Sequence, residues 1–67
     1  MTVAKVIELI GSSPKSWEDA ANQAIKRAAK TVRNIKGIDV VHQKAKVSGG
    51  KIKEYRVVLH LAFEVED

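Results

Sequence analysis

Acid and base side chains are the first candidates for chemistry in this sequence, because a histidine held against a carboxylate can transfer protons. Asp39 and His60 lie in two segments that we predict to pair, and a turn at Gly49-Gly50 places them opposite each other. An acid–base pair and a cross-strand salt link both fit this placement, and we expect the salt link or a subunit contact. We therefore treat Asp39 and His60 as a polar pocket or interface pair.

Motifs that define common enzyme classes and tight metal sites are missing from the sequence. It has no cysteine, and His42 and His60 are too few and too far apart for a zinc-finger pattern. A P-loop, a nucleophile elbow and a dinucleotide fingerprint are also missing, and Gly49-Gly50 indicates a turn rather than a phosphate cradle. We therefore predict no enzymatic activity and no catalytic residues.

Length and composition predict a small protein that associates with copies of itself. The 67 residues form a single domain, residues 1–67. A chain this short buries only about 60% of the surface that its unfolded form exposes. Because disulfides and a zinc site are excluded, association is the remaining way to stabilise it.

Charge and hydropathy indicate which partners to expect. Twelve Lys and Arg against eight Asp and Glu give a net charge of +4, which is compatible with an anionic partner. No Lys/Arg block exceeds Lys26-Arg27, and no aromatic residue interleaves the basic helix positions, so we do not expect nucleic acid binding. No run approaches the roughly 20 apolar residues of a membrane span, and the first apolar run carries Lys5 and Glu8 without a cleavage site. We expect a cytoplasmic protein without a membrane partner.

The first third of the chain predicts a strand, a loop and the start of a helix. Residues 3–10 are rich in β-branched and aliphatic side chains, which favours a strand. Ser16 is the expected N-cap of the helix, because two acidic residues follow it in the first turn. A start at Ser13, with Pro14 in the first turn, is the alternative.

An alanine-rich apolar stripe from Trp17 to Ile35 predicts one amphipathic helix. Asn34 and Gly37 are the stop signals near its end. Because Trp17 lies on this stripe, we expect it to pack within the protein rather than to stack on a ligand.

The last half of the chain predicts a long β-hairpin. Residues 38–47 and 52–65 read as two strands that Gly49-Gly50 joins. The element order is therefore β-α-β-β, and the fold class is α+β, with a three-stranded antiparallel sheet of uncertain strand order packed on one helix. A two-residue turn predicts the pairs Val40–Leu59, Asp39–His60, Val41–Val58 and Gln43–Arg56.

Alternation along the last strand divides the sheet into two faces. The strongly apolar residues share the face that takes the helix: Ile38, Val40, Val57, Leu59 and Leu61. We expect His42 on that face too, and Asp39, Gln43, Arg56 and His60 on the other. One helix cannot cover both faces, so other copies in a closed homo-oligomer are expected to cover the second. A monomer whose second face meets water is the alternative.

Three stretches of the sequence carry a resemblance to a known family. They are residues 6–21 (VIELIGSSPKSWEDAA), residues 28–35 (AAKTVRNI), and residues 54–59 (EYRVVL) followed by residues 62–64 (AFE). They resemble the opening strand with its turn and helix start, the helix end, and the last strand of the dodecins. The resemblance covers nearly the whole chain, with matching length and element order.

This resemblance implies a hollow homododecamer that binds and sequesters flavins without catalysis. In flavin-binding members, a tryptophan after the helix stacks on the isoalloxazine ring, and a glutamine in the last strand hydrogen-bonds the ring's edge. Alignment puts Gly37 at the position of that tryptophan and Arg56 at the position of that glutamine. We therefore expect a small-molecule storage protein with reduced affinity for a flavin (riboflavin or FMN), and a pocket lined by Arg56, Gln43 and Gly37.

The resemblance also leaves an alternative ligand open. Calcium binding has been proposed for dodecins without the tryptophan, and hard cations take oxygen ligands such as those of Glu64, Glu66 and Asp67. Arg56 suits a phosphate or carboxylate better than a ring carbonyl. The alternative is therefore a flavin-free structural shell that holds calcium or an anionic metabolite. The sequence does not identify metal ligands.

Overall fold

Three antiparallel strands and one helix make up the fold, in the predicted order β-α-β-β. The computed structural model describes residues 2–65 and contains β1 (Ala4–Ser13), α1 (Trp17–Ala28), β2 (Ile35–Ser48) and β3 (Lys51–Glu64). The sheet has the strand order β1-β3-β2 and α1 packs on one side of it. The predicted α+β class is confirmed, and β3 is the central strand.

A hydrogen-bonded cluster fixes the start of α1, and the predicted cap is confirmed. Ser16 is extended and its hydroxyl accepts a hydrogen bond of 2.9 Å from the backbone N–H of Asp19. Ser13, buried at the end of β1, donates to the Asp19 carboxylate over 2.5 Å and accepts from the Lys15 N–H over 2.9 Å. The Ser13 hydrogen bond is the main cause that lowers the pKa of Asp19 below its ordinary value of 3.8.

The end of α1 differs from the prediction. The helix stops at Ala28 with Ala29 as its C-cap, and Asn34 takes a left-handed backbone conformation with φ 61°. The prediction that the helical stripe continues to Ile35 was therefore wrong. Helix propensity is low in the β-branched segment after residue 30, and the turn at Asn34 redirects the chain into β2. Gly37 lies inside β2 and does not terminate the helix.

Small residues let α1 approach the sheet closely. Ala20 is buried against Val57, Leu59 and Leu61 of β3. Partly buried residues surround this centre: Ile7, Leu9, Trp17, Ala21, Ala24, Ala28, Val32, Ile35, Ile38 and Phe63. Val32 and Ile35 thus pack on the core as the stripe suggested, although neither belongs to the helix.

The hairpin turn has the predicted position. Gly49 and Gly50 have φ values of 60° and 73°, as a type I′ turn requires at both central residues. Ser48 pairs with Lys51 beside the turn. At the other end of the hairpin, the predicted pairs Asp39–His60 and Val40–Leu59 are confirmed.

Between these ends, the predicted pairing was wrong by one residue. Val58 pairs with His42 rather than with Val41, and Arg56 pairs with Lys44 rather than with Gln43. The cause is two register shifts that compensate for each other. One leaves Val41 of β2 without an opposite residue, and the other leaves Lys53 of β3 without one. Only the residue pairs between these two shifts are therefore displaced.

Gly11 provides a test of the close packing between β1 and α1. A Cβ atom at this position would collide with the carbonyl oxygen of Ala20 and would lie 3.0 Å from the Cβ of Ala24. We expect Gly11→Ala to lower the free energy of unfolding by about 1–3 kcal/mol, measured by denaturant titration, because the helix must move outward. Gly37→Ala is the matched control, since nothing lies within 4 Å of a Cβ there. Equal stability of both variants would contradict the packing described.

Candidate ligand-binding face

The sheet has a face turned away from α1, which we call the open face. It consists of the β3 side chains that alternate with the buried ones, together with the residues that pair with them on β1 and β2. They lie in four rows across β1, β3 and β2: Val6–Ala62–Gly37, Glu8–His60–Asp39, Ile10–Val58–His42 and Ser12–Arg56–Lys44. Apolar rows therefore alternate with charged rows along the face.

The apolar rows of the open face are exposed in the isolated chain. Val6 is 61% exposed and Ile10 is 64% exposed, although both belong to the well-formed strand β1. Both side chains point away from α1, so the helix cannot cover them. Exposed apolar side chains in two rows of one sheet face mark an interaction surface.

The central charged row places a histidine between two carboxylates. Asp39 and His60 are cross-strand partners as predicted, but the His60 Nε2 contacts Glu8 Oε1 of β1 at 3.0 Å. Glu8 was missed in the sequence analysis, because the order of the strands was not known. The alternation of residues 3–10 could have identified its face, but not its partner.

Gly37 borders a small cavity in the first row. This cavity has a volume of about 200 Å³ and is lined by Val6, Gly37, Ile38, Asp39, His60 and Ala62. Apart from its chain neighbours, no residue has an atom within 4 Å of a Cβ atom built on Gly37. The Cβ of a substituted residue therefore makes no close contact with the rest of the subunit.

Arg56 lies in the fourth row, in a basic environment. Its Nη2 contacts Glu54 Oε1 at 2.8 Å, and both side chains remain partly exposed to solvent. A cavity of about 340 Å³ borders Arg56, Glu54, Lys44 and Lys46. The two lysines were not among the predicted pocket residues, because the predicted register paired Arg56 with Gln43.

The structure separates the three residues predicted to line one pocket. Gln43 pairs with Val57, so it shares the helix-side face, and its placement beside Arg56 was wrong because of the register shift at Val41. Gly37 and Arg56 do share the open face. Gly37 pairs with Ala62, which lies six residues from Arg56 along β3, or roughly 20 Å at about 3.3 Å per residue. Within one subunit, these two positions do not form a common pocket.

His42 is also on the other face from the one predicted. It pairs with Val58 in the third row of the open face, since the register shift at Val41 reverses the alternation of β2. The prediction of a helix-side position for His42 was therefore wrong.

Trp17 packs inside the subunit, as predicted. Its indole N–H donates a 2.8 Å hydrogen bond to the backbone carbonyl of Lys44, and its ring meets the ring of Tyr55 edge-on at 4.8 Å and 78°. The indole thus joins the start of α1 to the middle of the hairpin. A ligand on the open face cannot stack on it.

Within residues 2–65, one subunit brings together no cluster of side chains suited to a metal ion. Residues 2–65 contain no group of three or more His, Asp or Glu side chains placed to hold one ion. Glu64 contacts Lys36 at 3.6 Å, while Glu66 and Asp67 of the predicted acidic set lie outside the described residues.

The described chain also contains no helix with the length and apolarity that a membrane crossing requires.

These features define a small protein with one helix, a three-stranded sheet and an uncovered mixed face. The Dodecin family model matches residues 3–66, and the chain belongs to the dodecin family. The calcium dodecin of Mycobacterium tuberculosis is 46% identical over 66 residues, covering 97% of this chain and 92% of that protein. The dodecin of Thermus thermophilus is 35% identical over 65 residues, covering 97% and 94%.

Solved structures agree with this assignment. A crystal structure of a mutant T. thermophilus dodecin matches with a TM-score of 0.95 at 34% identity, over the full length of both chains. The crystal structure of the M. tuberculosis calcium dodecin, described as a calcium-chelating antigen with a calcium-binding site, matches with a TM-score of 0.82 at 43% identity. It covers 96% of this chain and 91% of that one.

Proposed function

We propose that this protein is a non-catalytic, ligand-binding subunit of a cytoplasmic homododecameric shell. The observation that carries the proposal is the open face, whose apolar rows are exposed in a chain too small to cover them. Neighbouring copies cover these rows when the shell closes. Membership in the dodecin family supports this assembly.

The pocket of this shell is shared between subunits. Gly37 and Arg56 lie on the same face but far apart along β3, so one subunit supplies only part of a pocket at each position. The open face of a neighbouring subunit, packed against that of the first, completes the walls of the cavity beside Gly37. Asp39 and His60 also border that cavity and supply polar groups to it.

The first candidate ligand is a flavin bound with reduced affinity. The Gly37 position offers no aromatic platform, and Trp17 is engaged with Tyr55 and the Lys44 carbonyl. A stacked ring is worth about 1–3 kcal/mol, so its absence weakens binding by roughly one to two orders of magnitude. Arg56 has only donors, so it favours an anionic group over the ring edge that a glutamine can recognise.

Calcium is the second candidate, and the 46% identity to a calcium dodecin favours it. One subunit lacks a group of three ligands within residues 2–65, so oxygen atoms from two or more copies would have to converge. Glu8 and Asp39 place carboxylates on the open face where copies meet. A calcium site built from these open-face carboxylates would therefore depend on assembly.

The mass of the native assembly tests the shell. We expect a species of about twelve times the 7.4 kDa chain mass in native mass spectrometry and sedimentation equilibrium. Val6→Glu should shift it to smaller species, because it places a charge on a face that is buried on assembly. Thr31→Glu makes the same change of charge at an exposed turn after α1 and should leave the mass unchanged. A wild-type protein that sediments as a stable single chain would rule out the shell.

Gly37→Trp tests the placement of the flavin pocket. The Cβ of the new side chain meets no other part of the subunit and the indole restores a stacking surface, so we expect riboflavin affinity to rise by about 10- to 100-fold. Quenching of riboflavin fluorescence on titration measures it. Gly37→Leu is the control for added apolar volume without an aromatic face, and we expect a smaller gain. Unchanged affinity in Gly37→Trp would show that Gly37 does not border the ligand.

Calcium binding is tested by thermal unfolding. With calcium in excess over its dissociation constant, the wild-type assembly should unfold at a higher temperature, because a ligand of the native state stabilises it. Magnesium should have little effect, since it demands a tighter octahedral set of ligands. Val6→Glu should lose the shift together with the assembly. An equal shift in that variant would place the site within one subunit instead.

A further inference from the structure

The cavity beside Gly37 contains one carboxylate that has no partner within the subunit. Asp39 and His60 are the two polar side chains of its lining, and the other lining residues are apolar. His60 is engaged by Glu8 at 3.0 Å. Asp39 takes part in no ion pair and no side-chain hydrogen bond within residues 2–65. Its carboxylate therefore borders the cavity as a free hydrogen-bond acceptor.

The contact with Glu8 decides which ring nitrogen of His60 carries the proton. A carboxylate only accepts hydrogen bonds, so Nε2 of the neutral imidazole has to be the atom that donates to Glu8 Oε1. The other nitrogen, Nδ1, then has a lone pair in place of a proton. Both polar side chains of the cavity are therefore left with acceptors for a ligand.

A pair of acceptors selects a ligand by its donors and its charge. An anionic group beside Asp39 is repelled, and a ring carbonyl finds no donor on that side chain. An N–H group gains a hydrogen bond to a charged acceptor, which is stronger than a neutral one. The cavity of about 200 Å³ is smaller than ordinary ligand pockets of roughly 300–1,000 Å³, so it suits the edge of a planar ring.

We propose that Asp39 is the specificity-determining residue of the cavity beside Gly37 and selects a ring edge with an N–H donor. The inference rests on the proposed function, because the open face of a neighbouring subunit has to close the cavity around the ligand. In a flavin, the donor is the imide N–H at position N3 of the ring. A flavin that is methylated at N3 cannot make this hydrogen bond.

Calcium is the other ligand that Asp39 could take, and the lining of the cavity disfavours it. Calcium binds six to eight oxygen atoms, which come from carboxylates, carbonyls and water. The second polar side chain of this cavity is an imidazole, which suits transition metals better than calcium. The apolar lining residues, Val6, Ile38 and Ala62, suit a ring better than an ion.

Titration with two flavins that differ only at N3 tests the proposal. Riboflavin and 3-methylriboflavin are compared by fluorescence quenching at pH 8, where an ordinary histidine is neutral. We expect the wild-type assembly to bind 3-methylriboflavin about 10- to 100-fold more weakly than riboflavin, because a hydrogen bond to a charged acceptor is lost. Asp39→Ala should bind the two flavins equally, within about threefold, and Asp39→Asn should keep part of the preference through its amide oxygen.

The matched control is Glu18→Ala, which removes an exposed carboxylate from the first turn of α1, on the other side of the sheet. It should prefer riboflavin as strongly as the wild-type protein does. Equal affinities of the wild type for the two flavins would overturn the proposal. An undiminished preference in Asp39→Ala would also overturn it, because the methyl group would then act by its size alone.

The outcomes separate this inference from the proposed function. Equal binding of both flavins by an intact shell rejects the role of Asp39 and leaves the shell and its flavin site standing. Failure of the wild type to bind either flavin rejects the flavin and this inference together, while the assembly mass still reports on the shell. A changed assembly mass in Asp39→Ala would show that Asp39 is a subunit contact instead.

Discussion

A single helix of 12 residues has to cover a sheet whose two longest strands have 14 residues each, and this shortage of cover shapes the whole molecule. Small residues at Gly11, Ala20 and Ala24 bring α1 close to the sheet, so burial is efficient where the two meet. Two apolar surfaces stay uncovered, because α1 lies on one side of the sheet and is shorter than the hairpin. One is the open face with Val6 and Ile10, and the other is the cross-strand pair Val47 and Ile52 beside the hairpin turn. The proposed assembly follows from the first of these surfaces.

The two compensating register shifts in the hairpin decide which side chains lie on the open face. Without them, Gln43 would accompany Arg56 on the open face; with them, Lys44 takes that place and His42 joins Val58. The open face thereby gains positive charge at one end, while Glu8 and Asp39 keep the central row acidic. A face with separated charges of both signs can bind another copy of itself when the two run in opposite directions.

Local signals in the sequence were enough to predict the features that depend on neighbouring residues. The Ser16 cap, the Gly49-Gly50 turn and the packing of Trp17 are all confirmed. Features that depend on distant residues were not predictable in the same way. The bulge at Val41 has no glycine or proline to mark it, and the contact of His60 with Glu8 joins residues 52 apart in the sequence. The candidate site was therefore predicted by residue type but not by geometry.

The empty space beside Gly37 has a consequence for how such a protein can change over time. A Cβ atom added there meets no other part of the subunit within 4 Å beyond its chain neighbours, so a side chain can begin at this position without displacing the core. If Gly37 borders the ligand as proposed, a substitution there changes the affinity for the ligand with little effect on the packing of the subunit. In many proteins, a new activity is gained at the expense of stability. In the proposed shell, the ligand and the helix-packed core lie on opposite sides of one sheet, so binding and subunit packing can change separately.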